Sequence, residues 1–322
     1  MLIEGTAFKV HSGSYHVKSD NGDEAVCKLR GNLKKEFEFS TSSRGAKRVT
    51  SAKKKHDTAA VAVGDRVRYD PTTLMIEEIL PRTSDLSRHS PSRRGQHTLV
   101  ANLDQLFIVF AAQTPTPDLW LLDRFIVAAE SANITPIIVV NKIDLAGVEE
   151  PVIRTLFQVY VDIGYRVLFV SARAGIGIDQ ILAALPNNIS AFTGPSGVGK
   201  SRLLNTLIPD ACRLVGDVGL SDGMGRHTTT SSELVPILNG EYGWIADTPG
   251  IRQLEFWQVE LVDLPLYFVE FARYIQECRF RNCAHEEEAG CAVRAARDTG
   301  AIDERRYESY LRMKRPVEST YH

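Results

Sequence analysis

The segment Gly194-Pro195-Ser196-Gly197-Val198-Gly199-Lys200-Ser201 matches the pattern G-x-x-x-x-G-K-[ST] in full. Its context suits the chemistry: an apolar run, Ser190–Thr193, precedes it, and a helical run, Lys200–Leu207, follows. Glycines in such a turn let successive backbone N–H groups wrap phosphate oxygens at a helix N-terminus. Lys200 is then placed to reach the β- and γ-phosphates and Ser201 to hold Mg²⁺, with Arg202 completing the nucleotide-binding set. The bland alternative is a glycine-rich turn with no ligand, and the strand–loop–helix setting argues against it.

Four more short motifs fall at the ends of expected strands, where ligands bind in open α/β sheets. Asn141-Lys142-Ile143-Asp144 follows the apolar run Ile137–Val140. An aspartate there can accept from both the ring N–H and the exocyclic amine of guanine, a pair of donors that adenine lacks. Asn141 is expected to tie this loop to the phosphate loop, and the stem of Lys142 to cover the base. Ser171-Ala172-Arg173 offers a backbone amide to the guanine oxygen. Asp247-Thr248-Pro249-Gly250 offers an aspartate to support Mg²⁺ through water and the Gly250 amide to the γ-phosphate. Between them lies Gly225-Arg226-His227-Thr228-Thr229-Thr230, and either Thr228 or Thr229 can complete the Mg²⁺ shell. Many GTPases carry a glutamine directly after the D-x-x-G glycine to orient the attacking water. Ile251 stands at that position here, so His227 is the better candidate, the alternative being that Arg226 and His227 only bind anions.

Near the C-terminus, Cys278, Cys283, His285 and Cys291 form C-x4-C-x-H-x5-C. Three thiolates and one imidazole fit a closed tetrahedral Zn²⁺ site with no open position, hence a structural metal. The competing reading is three reduced core cysteines beside a surface histidine, and the polar neighbours Arg279, Arg281 and Asn282 argue against burial. Cys27 and Cys212 have no ligand companions and read as ordinary buried thiols. The odd total of five cysteines is no disulfide framework and points to a reducing compartment, the cytoplasm.

Positioning these motifs requires several kinds of element. Short runs at Gly5–Val10, Ser14–Lys18, Ala25–Leu29, Asp65–Tyr69 and Thr73–Ile79, set off by Gly and Asn turns, predict an all-β barrel of the OB type. The gap from Gly31 to Asp57, with Lys53-Lys54-Lys55, lacks apolar periodicity and is expected to be a long basic loop. From Asp104 the runs alternate: strand Asp104–Phe110, helix Asp118–Ser131, strand Pro136–Val140, helix Val152–Ile163, strand Tyr165–Val170. Such alternation marks a parallel sheet covered by helices. After about Glu260 the chain is expected to be mainly helical, ending in a charged helix, Asp303–Lys314. The expected domains are therefore the barrel with its basic loop (1–84), a linker (85–99), an α/β P-loop GTPase (100–258) and a helical zinc module (259–322).

The 322 residues are 43% hydrophobic and 24% charged, ordinary values for a folded globular chain, and no apolar run is long enough for a membrane span. A net charge of -2 speaks against a polyanion partner only until it is divided. Residues 1–100 hold 18 Lys and Arg against 12 Asp and Glu, and the remainder holds 20 against 28. The basic excess falls on the expected barrel, whose few aromatics predict backbone-dominated contact with structured RNA. The terminal helix, with Arg305, Arg306, Arg312, Lys314 and Arg315, either adds a second RNA contact or packs on the zinc site.

The motif order is unusual. Ras-like GTPases place the phosphate loop first and the guanine-reading pair last; here Asn141–Asp144 and Ser171–Arg173 precede Gly194–Ser201, Gly225–Thr230 and Asp247–Gly250. On these residues and Cys278–Cys291 the chain resembles the circularly permuted GTPases, specifically the ribosome small-subunit-dependent GTPase A family, over essentially its full length. That resemblance implies a late assembly factor of the small (30S) ribosomal subunit that binds 16S rRNA and cycles between GTP and GDP. It also implies turnover stimulated by that subunit and a catalytic role for His227 with Lys200 and Gly250. No sustained heptads appear, so a monomer is expected. An RNA-binding scaffold with negligible turnover and a small-molecule kinase are the other readings of the same phosphate loop.

Overall fold

The computed structural model describes residues 1–11, 13–41, 47–54, 61–89, 96–208, 233–237, 243–247 and 259–315. It divides into two compact units, one formed by 1–105, 182–192 and 207–253, the other by 106–181, 193–206 and 254–322.

The first unit begins with β1 (Ile3–His11), β2 (Ser14–Ser19) and β3 (Glu24–Leu29). A second pair of strands, β4 (Lys35–Thr41) and β5 (Lys47–Lys54), forms an antiparallel hairpin in the register Lys35↔Lys54 to Thr41↔Lys47. The segment expected as an irregular basic loop is therefore paired strand over much of its length. The alternation in β4 spans only Glu36-Phe37-Glu38-Phe39, and β5 has none, so the basic composition dominates the sequence pattern. Next come β6 (Arg66–Asp70) and β7 (Met75–Ile79). The order β1-β2-β3-β7-β6, with β6 returning to pair with β1, closes a barrel of five strands. Alternate residues supply its core: Ala7, Tyr15, Val17, Cys27, Leu29, Val67, Tyr69 and Ile76 are all buried. Burial pushes the Cys27 thiol up to about 11, so it is an inert apolar filler, as expected.

Two further strands, β8 (Asp85–His89) and β9 (Gln96–Ala101), pair antiparallel where the sequence suggested only a polar linker. Arg82 pins this hairpin to the barrel. Its guanidinium donates to both oxygens of the fully buried Asp65 (2.7 and 2.9 Å) and to Asp85 (2.7 Å).

In the second unit β10 (Gln105–Ala111) is buried along its whole length, as a central strand covered on both faces must be. It is followed by α1 (Leu119–Ser131), capped by the Asp118 carboxylate accepting from the Leu121 amide at 3.1 Å. Then come β11 (Thr135–Asn141), α2 (Glu150–Asp162), β12 (Arg166–Phe169) and the short α3 (Ile178–Leu182). The sheet order is β12-β11-β10, with β11 and β12 parallel. Next β13 (Ile189–Thr193) runs into the phosphate loop and α4 (Lys200–Leu207). In the first unit, β14 (Glu233–Pro236) pairs antiparallel with both β15 (Trp244–Asp247) and β1, and β15 lies parallel to β13. The C-terminal part holds α5 (Ala272–Ile275), α6 (Ala292–Asp298) and α7 (Glu304–Lys314). Its core is aromatic, with Phe268, Phe271, Tyr307 and Tyr310 in mutual contact at centroid distances of 5.1 to 6.4 Å. Among the described residues no helix is long and apolar enough to cross a membrane. The fold class is thus an N-terminal barrel, a P-loop α/β region and a helical C-terminal region with a Cys/His cluster.

Candidate functional site: a guanine nucleotide pocket and a metal cluster

Parallel strands β11 and β12 end side by side, and their C-terminal ends carry the two motifs expected to read the base. Asn141, only 2% exposed, is the junction. Its Nδ2 donates to the Val198 carbonyl of the phosphate loop at 2.9 Å, and its Oδ1 accepts from the Ala172 amide at 3.1 Å. One side chain therefore ties three loops together; the first tie matches the sequence expectation and the second goes beyond it. Lys142 adopts a left-handed backbone (φ 61°), and its ammonium donates to the carbonyls of Thr114 (2.6 Å) and Gly197 (2.7 Å). Its four-carbon stem is thereby stretched along the rim. Thr114 carries no local sequence signal for this role. The Ser171 loop is closed on itself, its Oγ accepting from the Ala174 amide at 3.0 Å and its backbone pairing with Ile176.

These loops enclose a cavity of about 350 Å³. Asp144, Ser171, Ala172 and Arg173 wall one side; Gly197, Gly199 and Arg202 wall the other. Asp144 lines it and is exposed, which leaves its carboxylate open to a ligand.

The phosphate loop is shaped by steric limits. Gly194 has φ 137°, and a Cβ there would lie 2.1 Å from the Val109 carbonyl oxygen. Gly199 has φ 95°, and a Cβ there would lie 2.6 Å from the Asn141 Nδ2. The same glycine that frees the phosphate loop thus makes room for the amide that reads across to it. Lys200 folds back so that Nζ donates to the carbonyls of Gly194 (2.7 Å) and Pro195 (2.6 Å). Its charge is held over the loop, where a phosphate oxygen is a stronger acceptor than either neutral carbonyl. Val198 is buried and Ser196 exposed, while Ser201 and Arg202 begin the exposed face of α4. His227, Thr228, Thr229 and Gly250 lie outside the described residues, as does Cys212; Asp247 closes β15, where it pairs with Glu233.

The RsgA GTPase family profile matches residues 79–257, more than half of the chain. The chain is also 37% identical over 320 residues to a protein of Gemmatimonas aurantiaca called small ribosomal subunit biogenesis GTPase RsgA, covering 98% of this chain and 95% of that one. The chain belongs to the RsgA GTPase family. A Geobacillus thermodenitrificans protein of the same name is 39% identical, with 96% of each chain covered. Among solved structures, YjeQ from Thermotoga maritima superposes with a TM-score of 0.74 at 30% identity, covering 98% of both chains. YloQ, described as a circularly permuted GTPase, gives 0.72 at 29% identity, covering 98% of this chain and 94% of that one. The permuted motif order read from the sequence agrees with the description of YloQ, and the chain is a GTP-hydrolysing enzyme.

The second candidate site is the cysteine cluster. The donor atoms of Cys278, Cys283, His285 and Cys291 all lie within 4.8 Å of one another. His285 Nδ1 is 3.6 Å from the Cys278 sulfur and 3.5 Å from the Cys291 sulfur. A tetrahedral Zn²⁺ with ordinary bond lengths puts a sulfur and a nitrogen ligand about 3.6 Å apart, so the donor set fits such an ion. Contrary to the expectation from polar neighbours, His285 (2% exposed) and Cys291 (6%) are buried. What covers them is α7. The Tyr307 hydroxyl donates to the His285 carbonyl (2.6 Å), and the Tyr310 hydroxyl (2.7 Å) and Lys314 ammonium (2.9 Å) donate to the Ala284 carbonyl. On the other side, the Glu288 carboxylate accepts from the amides of Ala284 (2.7 Å) and Glu286 (2.9 Å). Partial burial opposes its charge, but these amides prevail and hold its carboxyl down at about 2.

The terminal helix turns Arg306 inward and keeps Arg305, Arg312 and Arg315 exposed. Arg306 is 1% exposed and bonds to Asp123 of α1 (2.7 Å) and Glu270 (2.7 and 3.1 Å). Tyr160 of α2 adds its hydroxyl to Asp123 at 2.8 Å. Burial opposes the charge on Arg306, yet two carboxylates around one guanidinium outweigh it and keep that cation above its ordinary range. Arg312 lies 3.8 Å from the ring centre of Trp120, and Arg124 lies 4.4 Å from it. Lys314 bonds to Glu286 at 2.8 Å. Lys314 therefore packs on the loop that carries the cysteine cluster, one of the two alternatives the sequence left open for this helix.

Proposed function

We propose that this enzyme is a GTPase of small ribosomal subunit biogenesis, acting late in 30S assembly, with hydrolysis stimulated by that subunit and the basic barrel set against 16S rRNA. The carrying observation is the preassembled pocket. Asn141 joins the phosphate loop to the guanine-reading loops, and Asp144 faces a cavity between them. Asn141, Lys142, Asp144, Ser171 and Ala172 take the base, while Gly194–Arg202 take the phosphates. Ser201, Asp247 and one of Thr228 and Thr229 hold Mg²⁺, which supplies charge neutralisation during phosphoryl transfer. His227 orients the attacking water, and the Gly250 amide meets the γ-phosphate.

The Cys₃His set holds one Zn²⁺ with a structural role, since four protein ligands leave no position for substrate. The names of the relatives, the basic N-terminal hundred residues and the family membership support the ribosomal reading. The domains at 1–84, 85–99, 100–258 and 259–322, a cytoplasmic location and a monomeric state belong to the same proposal.

The test is GTP turnover with and without purified small subunits, in the wild type and in Lys200→Ala. Stimulation of roughly 10³-fold or more in the wild type is the expected outcome, by analogy with partner-assisted GTPases. No stimulation, with GTP still bound, would leave a nucleotide-regulated RNA-binding protein instead.

A further inference from the structure

Strand β15 bears Asp247 at its end, and in the first unit its neighbour β14 is bound to the barrel. β1 and β14 pair in the register Lys9↔Glu233, and the same residues form an ion pair at 2.8 Å. Glu233 is in turn the register partner of Asp247. Lys9, Glu233 and Asp247 thus occupy matched positions on three successive strands. Placing two acids at directly paired positions is an unfavourable choice in a sheet. A lysine on the third strand offsets it, and that lysine belongs to the barrel.

The start of β15 is held by the barrel as well. The register between β1 and β2 shifts between Ala7 and Lys9, leaving Phe8 as the extra residue of a bulge. Bulges re-aim side chains, and Phe8 stacks on Trp244 with centroids 5.8 Å apart and planes 20° apart. Lys18 of β2 lies 5.7 Å from the same indole. The four-residue strand is therefore linked to β1 at both ends: Trp244 stacks on Phe8, and Asp247 is the register partner of Glu233, which pairs with Lys9.

We propose that Lys9 and Glu233 are positioning residues for GTP hydrolysis: their ion pair fixes the strand position opposite Asp247, so that the Mg²⁺ requirement of turnover depends on a barrel side chain. This rests on the reading of Asp247 as a Mg²⁺-supporting residue. Neither Lys9 nor Glu233 belongs to the motifs that mark the nucleotide site. The pair has a second consequence. Whatever displaces Lys9 from Glu233, such as a polyanion on the barrel, alters the same strand end, and the coupling runs equally in the other direction.

The experiment is steady-state GTP turnover of the full chain titrated with Mg²⁺, with melting temperature recorded for each variant. Lys9→Met is expected to raise the half-saturating Mg²⁺ concentration about twofold to fivefold, the range for a partly exposed pair. Lys9→Glu should raise it further. Lys9→Arg and the exchange Lys9→Glu with Glu233→Lys should return it close to wild type. Asp247→Asn is the reference for the underlying reading. If Asp247→Asn changes the Mg²⁺ dependence and the Met and Glu variants do not, the proposal is overturned and the role of Asp247 stands. If Asp247→Asn itself leaves the dependence unchanged, that reading fails and the proposal falls with it. A shift in Lys9→Met that neither arginine nor the exchange reverses also overturns it, because the strand has then merely been disturbed.

Discussion

Replacing Asn141 by alanine removes a single amide yet should cost most of the coupling between base and phosphate recognition. Two hydrogen bonds disappear, at 2.9 Å to the Val198 carbonyl and at 3.1 Å to the Ala172 amide, both from a side chain 2% exposed. At about 1 kcal/mol net for each bond, the loss is about 2 kcal/mol, or roughly 30-fold in affinity if it is expressed at the nucleotide. Isothermal titration with GDP, beside a thermal scan of the free protein, divides the loss between binding and stability. Gly199→Ala provides the internal check. Its Cβ would fall 2.6 Å from the Asn141 Nδ2, so it should push the same amide away. The double variant Asn141→Ala, Gly199→Ala must then lose less than the two single losses added together. Strict additivity, or Asn141→Ala with wild-type GDP affinity and melting temperature, would refute the reasoning.

Other outcomes follow from the C-terminal region. Arg306→Met leaves the carboxylates of Asp123 and Glu270 buried without their cation and should cost about 3–5 kcal/mol, read as a lowered melting temperature; adding Asp123→Asn and Glu270→Gln should recover part of it. Stripping metal with a chelator should unfold the neighbourhood of Cys278–Cys291 and release α7, measured as lost amide protection over residues 278–314, with the pocket around Asn141 unaffected. Glu288 has a folded value of about 2 against an ordinary 4.5, so its contribution is complete above about 4.5 and lost as pH falls toward 2. Wild type should therefore be more stable than Glu288→Gln at pH 6, with the two converging near pH 2; parallel stability curves would contradict the assignment.

Much of the site was legible because its chemistry demands fixed residue types at fixed spacing. Gly194 and Gly199 are required by positive φ and by atoms within 2.6 Å of where a Cβ would sit, and such glycines announce themselves in a motif. The gathering of Cys278, Cys283, His285 and Cys291 was legible for the same reason. The parallel sheet showed in the uninterrupted apolar run of β10, which is buried throughout. The β4–β5 hairpin was not legible: its lysines and arginines, with Lys53-Lys54-Lys55 at the end, read as a basic loop. Long-range pairings were also hidden. Nothing near Arg306 foretells a partner 183 positions away, and its basic neighbours left both an RNA contact and packing on the cysteine cluster open. The Lys9–Glu233 contact spans 224 positions and involves two residue types that are common on any surface.

Trp120, with the guanidinium groups of Arg124 and Arg312 close to its ring, gives the molecule an internal optical gauge. Cations near an indole perturb its excited state, and only one of these two belongs to the terminal helix. Departure of α7 would remove Arg312 and leave Arg124, changing the emission without any added label. The chain has three tryptophans, so replacing Trp244 and Trp257 by phenylalanine would isolate that signal. Docking of the C-terminal helix could then be followed in real time through a complete catalytic cycle.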